Sequence, residues 1–333
     1  MILVTGGTGF IGSHLLFLLV QKEEKIRAIY REESSLKKTK RLFSLYSASA
    51  DVFFDKIEWV QADITDIFSL EPVFEGIDKL YHTAAIVSFN PLDDKKMHAV
   101  NVEGTTNLLN LANVNHIHKI VHLSSVAALG NSDNPITEKT YWNWKENSSE
   151  YAHTKYLSEM EVWRATQEGL DAVIFNPSIV FGAGFWQEGT GSIFNRIYKG
   201  MPFYTNGVNG FVDVWDLVNI MIQAMQSNVV NDSFIVSAEN ISYKKVFDFI
   251  AEAFDKPKPK YLLKPWITNI IWRFEFLKSA GFKTKPILTK SIARSGFQQH
   301  YFSSKKLMNT FGFSYRPIEK TIKEIADIYL KNK

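Results

Sequence analysis

The sequence predicts an α/β fold, in which a doubly wound parallel sheet is followed by a smaller C-terminal domain. Two observations support this prediction. Short apolar strands alternate with helical patterns through the first half of the 333-residue chain, and a glycine-rich turn joins the first strand to the first helix. Such alternation requires crossover connections, which produce a parallel sheet covered by helices on both faces. After Pro177 the pattern becomes irregular, and this half is expected to supply the second domain.

The individual elements follow from the hydrophobic period. Short runs rich in β-branched and aromatic residues predict strands, and apolar residues spaced three or four apart predict helices. The predicted strands are 2–4, 25–30, 57–61, 79–82, 119–123 and 172–175. The predicted helices lie near 11–21, 36–45, 69–74, 93–114 and 149–168.

Composition narrows the function classes. The net charge is only +3, so the chain as a whole does not require a nucleic-acid partner. The absence of cysteine excludes disulfides, thiolate zinc sites and a cysteine nucleophile. The eight histidines are scattered, without the spacing of a metal site. These features fit a cytoplasmic protein that binds neither metal nor nucleic acid. We also expect a small-molecule substrate and a monomer or homodimer.

The turn that follows the first strand has the spacing of a dinucleotide-binding loop. Gly6 allows a tight turn, Gly9 lets the backbone approach a pyrophosphate, and Gly12 allows the helix to pack closely on the strand. The helix then presents free N–H groups and a positive dipole end to the phosphates. The residues predicted to bind the cofactor here are Gly6, Thr8, Gly9, Phe10, Ile11 and Gly12.

The glycine-rich loop predicts that the first half of the chain is a Rossmann-type domain. We expect residues 1–175, with a return at roughly 208–236, to bind NAD(P). Residues 176–207 and 237–333 are expected to form the substrate-binding domain.

The end of the second strand favours NADP as the cofactor. NAD-preferring sites place an acid there, whereas an arginine suits a 2′-phosphate, and this strand ends at Arg31, with Lys37 and Lys38 close behind. The alternative is a solvated basic strand end, which leaves NAD open. Asp63, with Ile64 beside it, follows the third strand and either binds the adenine or caps the next helix.

A Ser–Tyr–Lys group is predicted further along the chain. Tyr151 and Lys155 lie four residues apart at the start of a predicted helix, so the phenol and the ammonium share a face. A free phenol has a pKa of about 10, and the ammonium and an oxidised nicotinamide both favour the phenolate. Upstream, the fifth strand ends at Ser124 and Ser125, where a hydroxyl can hold the substrate oxygen beside the tyrosine.

With these motifs, the sequence resembles the extended short-chain dehydrogenase/reductases, a superfamily of nucleotide-sugar epimerases, 3β-hydroxysteroid dehydrogenases and dihydroflavonol reductases. The resemblance covers nearly the whole chain and is strongest to bacterial dihydroflavonol-reductase-like and sugar-epimerase-like proteins. Besides the motifs above, the matching segments are 82–85, 101–105, 176–182, 211–214 and 303–317.

The resemblance implies a role for each matched residue. Tyr151 is the acid/base, Lys155 binds the nicotinamide ribose and tunes the tyrosine, and Ser125 is the catalytic hydroxyl, with Ser124 as the alternative. Further cofactor contacts implied by the resemblance are Ala84, Ala85, Asn101, Pro177 and Ser178.

Two departures from the family pattern affect the expected reaction. Sugar 4,6-dehydratases carry an acid pair directly after the catalytic hydroxyl, whereas Val126 and Ala127 follow here, so an elimination lacks its groups. Plant dihydroflavonol reductases orient the flavonoid with an asparagine, and that position falls on Gly130.

These features favour an NADP-dependent reductase of a carbonyl on a hydrophobic or polycyclic-like substrate. One alternative is a nucleotide-sugar epimerase that works by transient oxidation, in which Asn176 would serve the nucleotide diphosphate. Another is a cofactor-sensing regulator without turnover.

A basic, aromatic segment spans residues 256–306, with twelve Lys or Arg and a single acid, Glu275. Within it, Trp272 and Phe276 lie outside an apolar helical stripe. Three interpretations stay open: a helix packed on its neighbours, a lid over an apolar substrate, or a peripheral contact with an anionic membrane surface. The predicted stripe consists of Trp266, Ile267, Ile270, Ile271, Phe274 and Leu277.

Overall fold

The structure, a computed structural model, describes all residues except 23, 133–134, 145–148, 269, 271 and 274–289. Its largest element is a seven-stranded sheet. In chain order the strands are β1 (Ile2–Thr5), β2 (Ile26–Tyr30), β3 (Glu58–Gln61), β4 (Lys79–His82), β5 (Lys119–Leu123), β6 (Ala172–Pro177) and β10 (Asp232–Val236). The remaining described strands are β7 (Ile179–Phe181), β8 (Phe203–Tyr204), β9 (Val208–Asp213), β11 (Glu239–Ser242) and β12 (Tyr261–Leu262).

The strand order across the main sheet is β10-β6-β5-β4-β1-β2-β3. All neighbouring strands in it are parallel. The order reverses at β1, because the chain first builds outward to β3 and then crosses back to place β4 on the other side of β1. Ligands of such sheets bind outside the carboxyl ends of the strands at this reversal. The predicted doubly wound parallel sheet is confirmed, and the glycine turn lies at its binding edge.

Helices cover both faces of this sheet. Those of the first half are α1 (Phe10–Gln21), α2 (Glu33–Tyr46), α3 (Ala50–Asp55), α4 (Ile67–Leu70), α5 (Asp94–His98), α6 (Gly104–Val114) and α7 (Glu150–Gln167). Those of the second half are α8 (Gly191–Tyr198), α9 (Val214–Gln226), α10 (Tyr243–Ala253), α11 (Lys290–Ser295), α12 (Lys305–Phe311) and α13 (Ile318–Lys331). None of these described helices combines the length and the apolar content needed to cross a bilayer.

Two helices differ from their predictions. The segment predicted as a helix near 69–74 consists of the end of α4 and a 3₁₀ helix at Glu71–Phe74. The segment expected to be a single helix near 93–114 contains a widened turn at Ala99–Glu103, which separates α5 from α6. Such turns interrupt the regular hydrogen-bond ladder and frequently occur at functional sites.

Apolar clusters lie on the two faces of the main sheet. Val4 belongs to a cluster with the apolar side chains of α1 and α9, and Leu3 to a cluster with those of α6 and α7. Adjacent residues of a strand point to opposite faces, so β1 contributes to both cores. A third cluster, which includes Phe211 and Ile322, joins β9 to α10 and α13.

The second half of the chain forms two small sheets and adds β10 to the large one. Their strand orders are β11-β9-β7 and β12-β8. After α9, β10 pairs with β6 in the main sheet, whereas β9 pairs with β7 and β11. The division into a cofactor domain and a substrate domain stays a prediction. The predicted return at roughly 208–236 begins with β9, which pairs outside the main sheet.

Candidate active site

The glycine turn is packed too closely for side chains at two positions. Gly6 has a φ of +70°, in the left-handed region, and a Cβ there would lie 2.5 Å from the Ala84 nitrogen on the loop after β4. A Cβ at Gly12 would overlap the carbonyl oxygen of Gly6. The first turn of α1 therefore lies directly against the end of β1.

The N-terminus of α1 fits the phosphates of a dinucleotide. Gly9 precedes the helix without a side-chain cap, and the first turn holds no acid. Gly9 is exposed, and Thr8, Phe10 and Ile11 are half-buried. The N–H groups of the first turn and the positive end of the helix dipole can therefore meet a diphosphate.

Two basic side chains lie near the end of β2 and on α2. Arg31 is exposed, with its guanidinium 3.8 Å from the Glu32 carboxylate. The Lys38 ammonium lies 2.7 Å from the Glu188 carboxylate, and this pair is also exposed. Ion pairs in solvent contribute little to stability, so a phosphate can replace the carboxylate of Glu32 or Glu188 at small cost.

Asp63 does not cap the following helix, which corrects one of its two predicted roles. Its carboxylate accepts hydrogen bonds from the Thr65 backbone N–H at 2.9 Å and the Thr65 hydroxyl at 2.8 Å. Asp66 directly precedes α4 and accepts from the Phe68 N–H, so it is the cap. Ile64, next to Asp63, is buried in the core.

The three predicted catalytic side chains meet at the carboxyl end of β5. The Tyr151 hydroxyl faces the Ser125 hydroxyl, and the hydrogen bond between these side chains lowers the pKa of Tyr151. Lys155 is buried and donates from Nζ to the Leu123 carbonyl at 2.9 Å. Ser149 caps α7 by accepting from the Ala152 N–H, and this start of the helix sets Tyr151 in its first turn.

Burial controls the protonation of this group. Burial raises the pKa of Tyr151, and the hydrogen bonding of Ser125 opposes that rise. Burial lowers the pKa of Lys155 to about 8, and the attraction of Glu159 opposes that fall. At neutral pH the phenol is therefore protonated and the ammonium is mostly charged, which suits proton donation to a carbonyl oxygen.

A buried polar network lies behind Ser125. The Ser124 hydroxyl donates to Oε2 of Glu159 at 2.7 Å. The Asn176 amide donates to the same oxygen at 2.7 Å and to the Ser125 carbonyl at 3.1 Å. Ser124, the alternative catalytic hydroxyl, and Asn176, the predicted diphosphate contact, thus both point into the interior. The sequence analysis missed Glu159, although an acid four residues after Lys155 shares its helix face.

Asn101 holds the loop after β4 rather than presenting its amide to a ligand. Its side chain accepts from the Ile86 N–H at 2.7 Å and donates to the Ile86 carbonyl at 2.9 Å. It also donates to the Thr154 hydroxyl at 3.1 Å, which joins this loop to α7. Ala84 is half-buried and Ala85 is exposed on the same loop.

Phe89 was also missed by the sequence analysis. Its ring centroid lies 5.8 Å from that of Tyr151 in an edge-to-face arrangement, and 37% of the residue is exposed. Val87 and Leu92 on the same loop are exposed as well. An apolar surface therefore borders the tyrosine, and no sequence pattern marked it because it depends on how the loop folds back.

Pro177 is the last residue of β6, the strand next to β5, and Ser178 follows it. Both are buried, and the Ser178 N–H donates to the Val236 carbonyl at 3.0 Å. They lie at the same edge of the sheet as Ser125.

The position of Gly130 leaves no room for a side chain. A Cβ there would overlap the Tyr141 carbonyl oxygen. An asparagine like that of the plant dihydroflavonol reductases would not fit.

The described parts of the 256–306 segment attach to β8 and β9. β12 pairs with β8, and the Val208 N–H donates to the Gln298 carbonyl at 3.0 Å. Phe302 packs with Val126 and Leu129, which closely follow Ser125. The segment therefore reaches the site at one end.

The apolar stripe predicted in this segment is unevenly buried over its described part, where Ile267 is half-buried. Trp266 is 61% exposed and Ile270 is 46% exposed, so both face away from the core. The Arg273 guanidinium lies 4.8 Å from the centre of the Trp272 ring. Ile271, Phe274, Phe276 and Leu277 lie outside the described residues.

Within the described residues, no cluster of three or more His, Asp or Glu suits a metal ion. His82, for example, is buried between the hydroxyls of Thr5 and Thr105, at 2.7 and 2.9 Å. Burial lowers the pKa of His82 to about 3, which keeps the ring neutral.

Comparisons with known proteins agree with this architecture. Sterol demethylase protein B of Methylococcus capsulatus is 28% identical over 267 residues, which cover 79% of this chain and 77% of that protein. A Synechocystis protein with the provisional name dihydroflavonol 4-reductase is 28% identical over 329 residues, 96% of this chain and 91% of that protein. The crystal structure of gox2253 matches with a TM-score of 0.80 at 26% identity and covers 100% of this chain and 98% of that one.

The model of the NAD dependent epimerase/dehydratase family matches residues 2–237, from β1 to the end of the main sheet. This family consists of NAD(P)-dependent reductases and epimerases of the extended short-chain dehydrogenase/reductase type. Since the match covers most of the chain, the protein is an enzyme that belongs to the NAD dependent epimerase/dehydratase family.

Proposed function

We propose that this enzyme is an NADP-dependent reductase of a carbonyl group on a largely apolar substrate, with Tyr151 as the proton donor. The arrangement of Tyr151 opposite Ser125, with Lys155 buried on the same helix face, is the observation that supports this most directly. The protonated phenol suits reduction, because the carbonyl oxygen must gain a proton as its carbon gains hydride.

Each side chain then has one task. The nicotinamide cofactor, when bound, supplies the hydride. Ser125 holds the carbonyl oxygen, Tyr151 donates its proton to that oxygen, and the charge of Lys155 stabilises the phenolate that remains. In alcohol oxidation the same groups act in reverse. The proposed cofactor contacts are Gly6, Thr8, Gly9, Phe10, Ile11, Gly12, Arg31, Lys38, Asp63, Ile64, Ala84, Ala85, Asn101, Lys155, Pro177 and Ser178.

The roles of Asn101 and Ser178 within this set are indirect. The side chain of Asn101 bonds to Ile86 and Thr154, so it supports the loop that carries Ala84. The N–H and the hydroxyl of Ser178 both donate to the Val236 carbonyl, at 3.0 and 3.3 Å, so the carbonyl groups nearby would meet the nicotinamide amide.

An apolar substrate suits the side chains beside Tyr151. Phe89, Val87 and Leu92 offer exposed apolar surface on the loop that borders the phenol. Burying such surface against a ligand favours binding. The name of the Methylococcus relative points to sterols, so steroid ketones are the first compounds to test.

A nucleotide-sugar epimerase is the alternative. The sequence feature that favoured it was Asn176, whose amide instead bonds to Glu159 and to the Ser125 carbonyl. An epimerase regenerates its cofactor in each cycle, so net consumption of NADPH with a ketone supports the reductase. Interconversion of UDP-sugars without net consumption would favour the epimerase.

Tyr151→Phe should abolish turnover, with a loss on the order of 10²–10⁴ in kcat, because the transferred proton is absent. NADP affinity should persist, since the phenyl ring retains the packing. Tyr156→Phe is the matched control: it makes the same change on the same helix, where Tyr156 stacks on Trp142 instead. Turnover of Tyr151→Phe within a few-fold of wild type would refute the mechanism.

Arg31→Ala should reduce NADP affinity much more than NAD affinity. A charge-assisted contact to the 2′-phosphate contributes about 1.5–3 kcal/mol, or roughly 10- to 150-fold in Kd. Arg41→Ala, an exposed arginine on α2, serves as the control. Titration calorimetry with both cofactors measures the effect, and equal wild-type affinities for NAD and NADP would contradict the proposed preference.

A further inference from the structure

Glu159 is a buried acid that the proposed mechanism does not use. Only 6% of the residue is exposed. It lies on α7 four residues after Lys155, so the two side chains share a helix face. A buried carboxylate is unfavourable unless it is paired or hydrogen-bonded, so its contacts require an explanation.

The contacts of Glu159 converge on the strand ends that carry the catalytic serine. One oxygen, Oε2, accepts hydrogen bonds from Ser124 at the end of β5 and from Asn176 in β6, both at 2.7 Å. Asn176 also donates to the Ser125 carbonyl at 3.1 Å. Its amide nitrogen thus faces two oxygens, a carboxylate and a carbonyl, which fixes its orientation.

Lys155 completes the arrangement from the same helix. It donates to the carbonyl of Leu123 at 2.9 Å, the residue before Ser124. Lys155 and Glu159 therefore bind consecutive residues, Leu123 at the end of β5 and Ser124 directly after it, just before Ser125. A shift of either side chain would move the main chain that presents the serine hydroxyl to Tyr151.

The charges around Lys155 leave Glu159 as its counter-charge. His82 in β4 and His122 in β5 also face the ammonium, and burial lowers the pKa of both, which leaves them neutral. Attraction to Glu159 raises the pKa of Lys155 against the effect of burial. Burial raises the pKa of Glu159, and the hydrogen bonds from Ser124 and Asn176 and the attraction of Lys155 oppose that rise. On α7 itself, Tyr151 is neutral because burial raises its pKa.

We propose that Glu159 is a positioning residue of this active site, which keeps the buried Lys155 charged and fixes the ends of β5 and β6 beside Tyr151. It touches neither cofactor nor substrate and acts through Lys155 and Ser125. The proposal rests on the function proposed for these residues, but its contacts are separate from those of Tyr151.

Glu159→Gln removes the charge and keeps two of the hydrogen bonds. A glutamine oxygen in place of Oε2 still accepts from Ser124 and Asn176, whereas the hydrogen bond from Trp163 is lost, because the indole N–H can only donate and would face the amide N–H groups. Glu161→Gln is the matched control, since Glu161 lies on the same helix and pairs with the partly exposed Arg164. Glu159→Asp keeps the charge and tests for rescue.

The first readout is the pH profile of kcat/KM for NADPH-dependent ketone reduction. In the wild type the alkaline limb should reflect Lys155, with a pKa of about 8. Glu159→Gln should move this limb down by about one unit or more, since loss of a nearby opposite charge produces shifts of that size. Glu161→Gln should leave it in place, and Glu159→Asp should restore most of it. A purely structural role would lower Tm and leave the limb unchanged.

The second readout needs no activity. Tm is measured for Glu159→Gln, Lys155→Met and the double variant. Each single change removes one charge and leaves the other buried charge without its counter-charge. The decrease in Tm of the double variant should therefore be smaller than the sum of the two single decreases. If Glu159→Gln alone fails to fold while the double variant folds, the pairing is equally supported.

Additive Tm losses together with an unchanged alkaline limb would overturn the role of Glu159. Retained turnover in Tyr151→Phe would instead refute the proposed function, and the Tm comparison would still decide whether Glu159 pairs with Lys155. The two failures are therefore distinguishable.

Discussion

Gly6 and Gly76 have the same backbone conformation in different surroundings. Their φ angles are +70° and +71°. A Cβ at Gly6 would lie 2.5 Å from the Ala84 nitrogen, whereas at Gly76 the nearest atom would be the Met1 methyl carbon at 3.9 Å. Alanine at Gly76 thus bears only left-handed strain, while alanine at Gly6 also overlaps the loop after β4.

We expect Gly76→Ala to lower the free energy of unfolding by about 1–2 kcal/mol. Gly6→Ala should lose about 1–3 kcal/mol more, because it combines this strain with overpacking, and it should abolish dinucleotide binding. Urea unfolding and cofactor titration measure the two effects. Equal losses for both variants, with cofactor binding retained in Gly6→Ala, would mean that the turn can open.

Local spacing made part of the site predictable at this scale. Tyr151 and Lys155 are four residues apart on a helix, so their shared face follows from the sequence alone. The inward orientation of Ser124 and Asn176 depends on how β5 and β6 meet α7, which no local pattern specifies. Phe89 was missed for the same reason, since its contact with Tyr151 bridges separate elements.

Among the elements, strands were easier to predict than helix ends. Buried parallel strands form continuous apolar runs, so the predicted and observed bounds of β4 and β5 agree. Capping of α4 was one of the two predicted roles of Asp63, because two acids three residues apart offer the same signal and only the backbone selects Asp66. The widened turn at Ala99–Glu103 has no sequence signature of its own.

The segment 256–306 carries the prediction at this scale. We expect it to cover the substrate, because its described ends attach to β8 and β9 and Phe302 packs beside Val126. Trp272→Ala should raise KM for an apolar ketone by about tenfold, as burial of an aromatic ring against a ligand is lost. The NADP affinity should stay unchanged.

Trp144→Ala is the matched control, since this tryptophan is exposed and packs on Trp142. Phe276, the other ring outside the predicted stripe, lies beyond the described residues. Two results together would favour the membrane interpretation over the lid. The KM of Trp272→Ala would be unchanged, and the wild-type protein would co-sediment with phosphatidylserine vesicles.

At the scale of the whole molecule, the chain's last residues are tied back to its middle. The Arg316 N–H donates to the Asp216 carboxylate at 2.8 Å, and its guanidinium lies 3.3 Å from Asp213 and 2.6 Å from Glu324. These contacts join the approach to α13 with β9 and α9. The alternation of strands and helices predicted the first half, whereas this tie brings together residues about a hundred positions apart and was not predictable from local sequence.

The free energy of unfolding depends on pH through Asp216, one of the carboxylates in this tie. Burial raises the pKa of Asp216 to about 6, from an ordinary value of 3.8. Between these values the folded protein binds more protons than the unfolded chain, so this group lowers the free energy of unfolding as pH rises from about 4 to about 6. The effect is fully developed above the folded pKa and absent below the unfolded one.

Asp216→Asn removes this titration and keeps an oxygen that can accept from Arg316. Between pH 4 and pH 7, the wild type should lose about 1–3 kcal/mol more of its free energy of unfolding than the variant, the upper limit corresponding to a shift of about two pKa units. Asp327→Asn, at an exposed position of α13, controls for the charge change alone. Urea unfolding at several pH values measures the free energy of unfolding of both proteins. Groups that titrate in both contribute equally, so their contributions cancel in the difference between wild type and variant. If the free energies of unfolding of wild type and Asp216→Asn change in parallel across this range, the prediction fails. The hydrogen bond from Arg316 would then lower the pKa of Asp216 by as much as burial raises it.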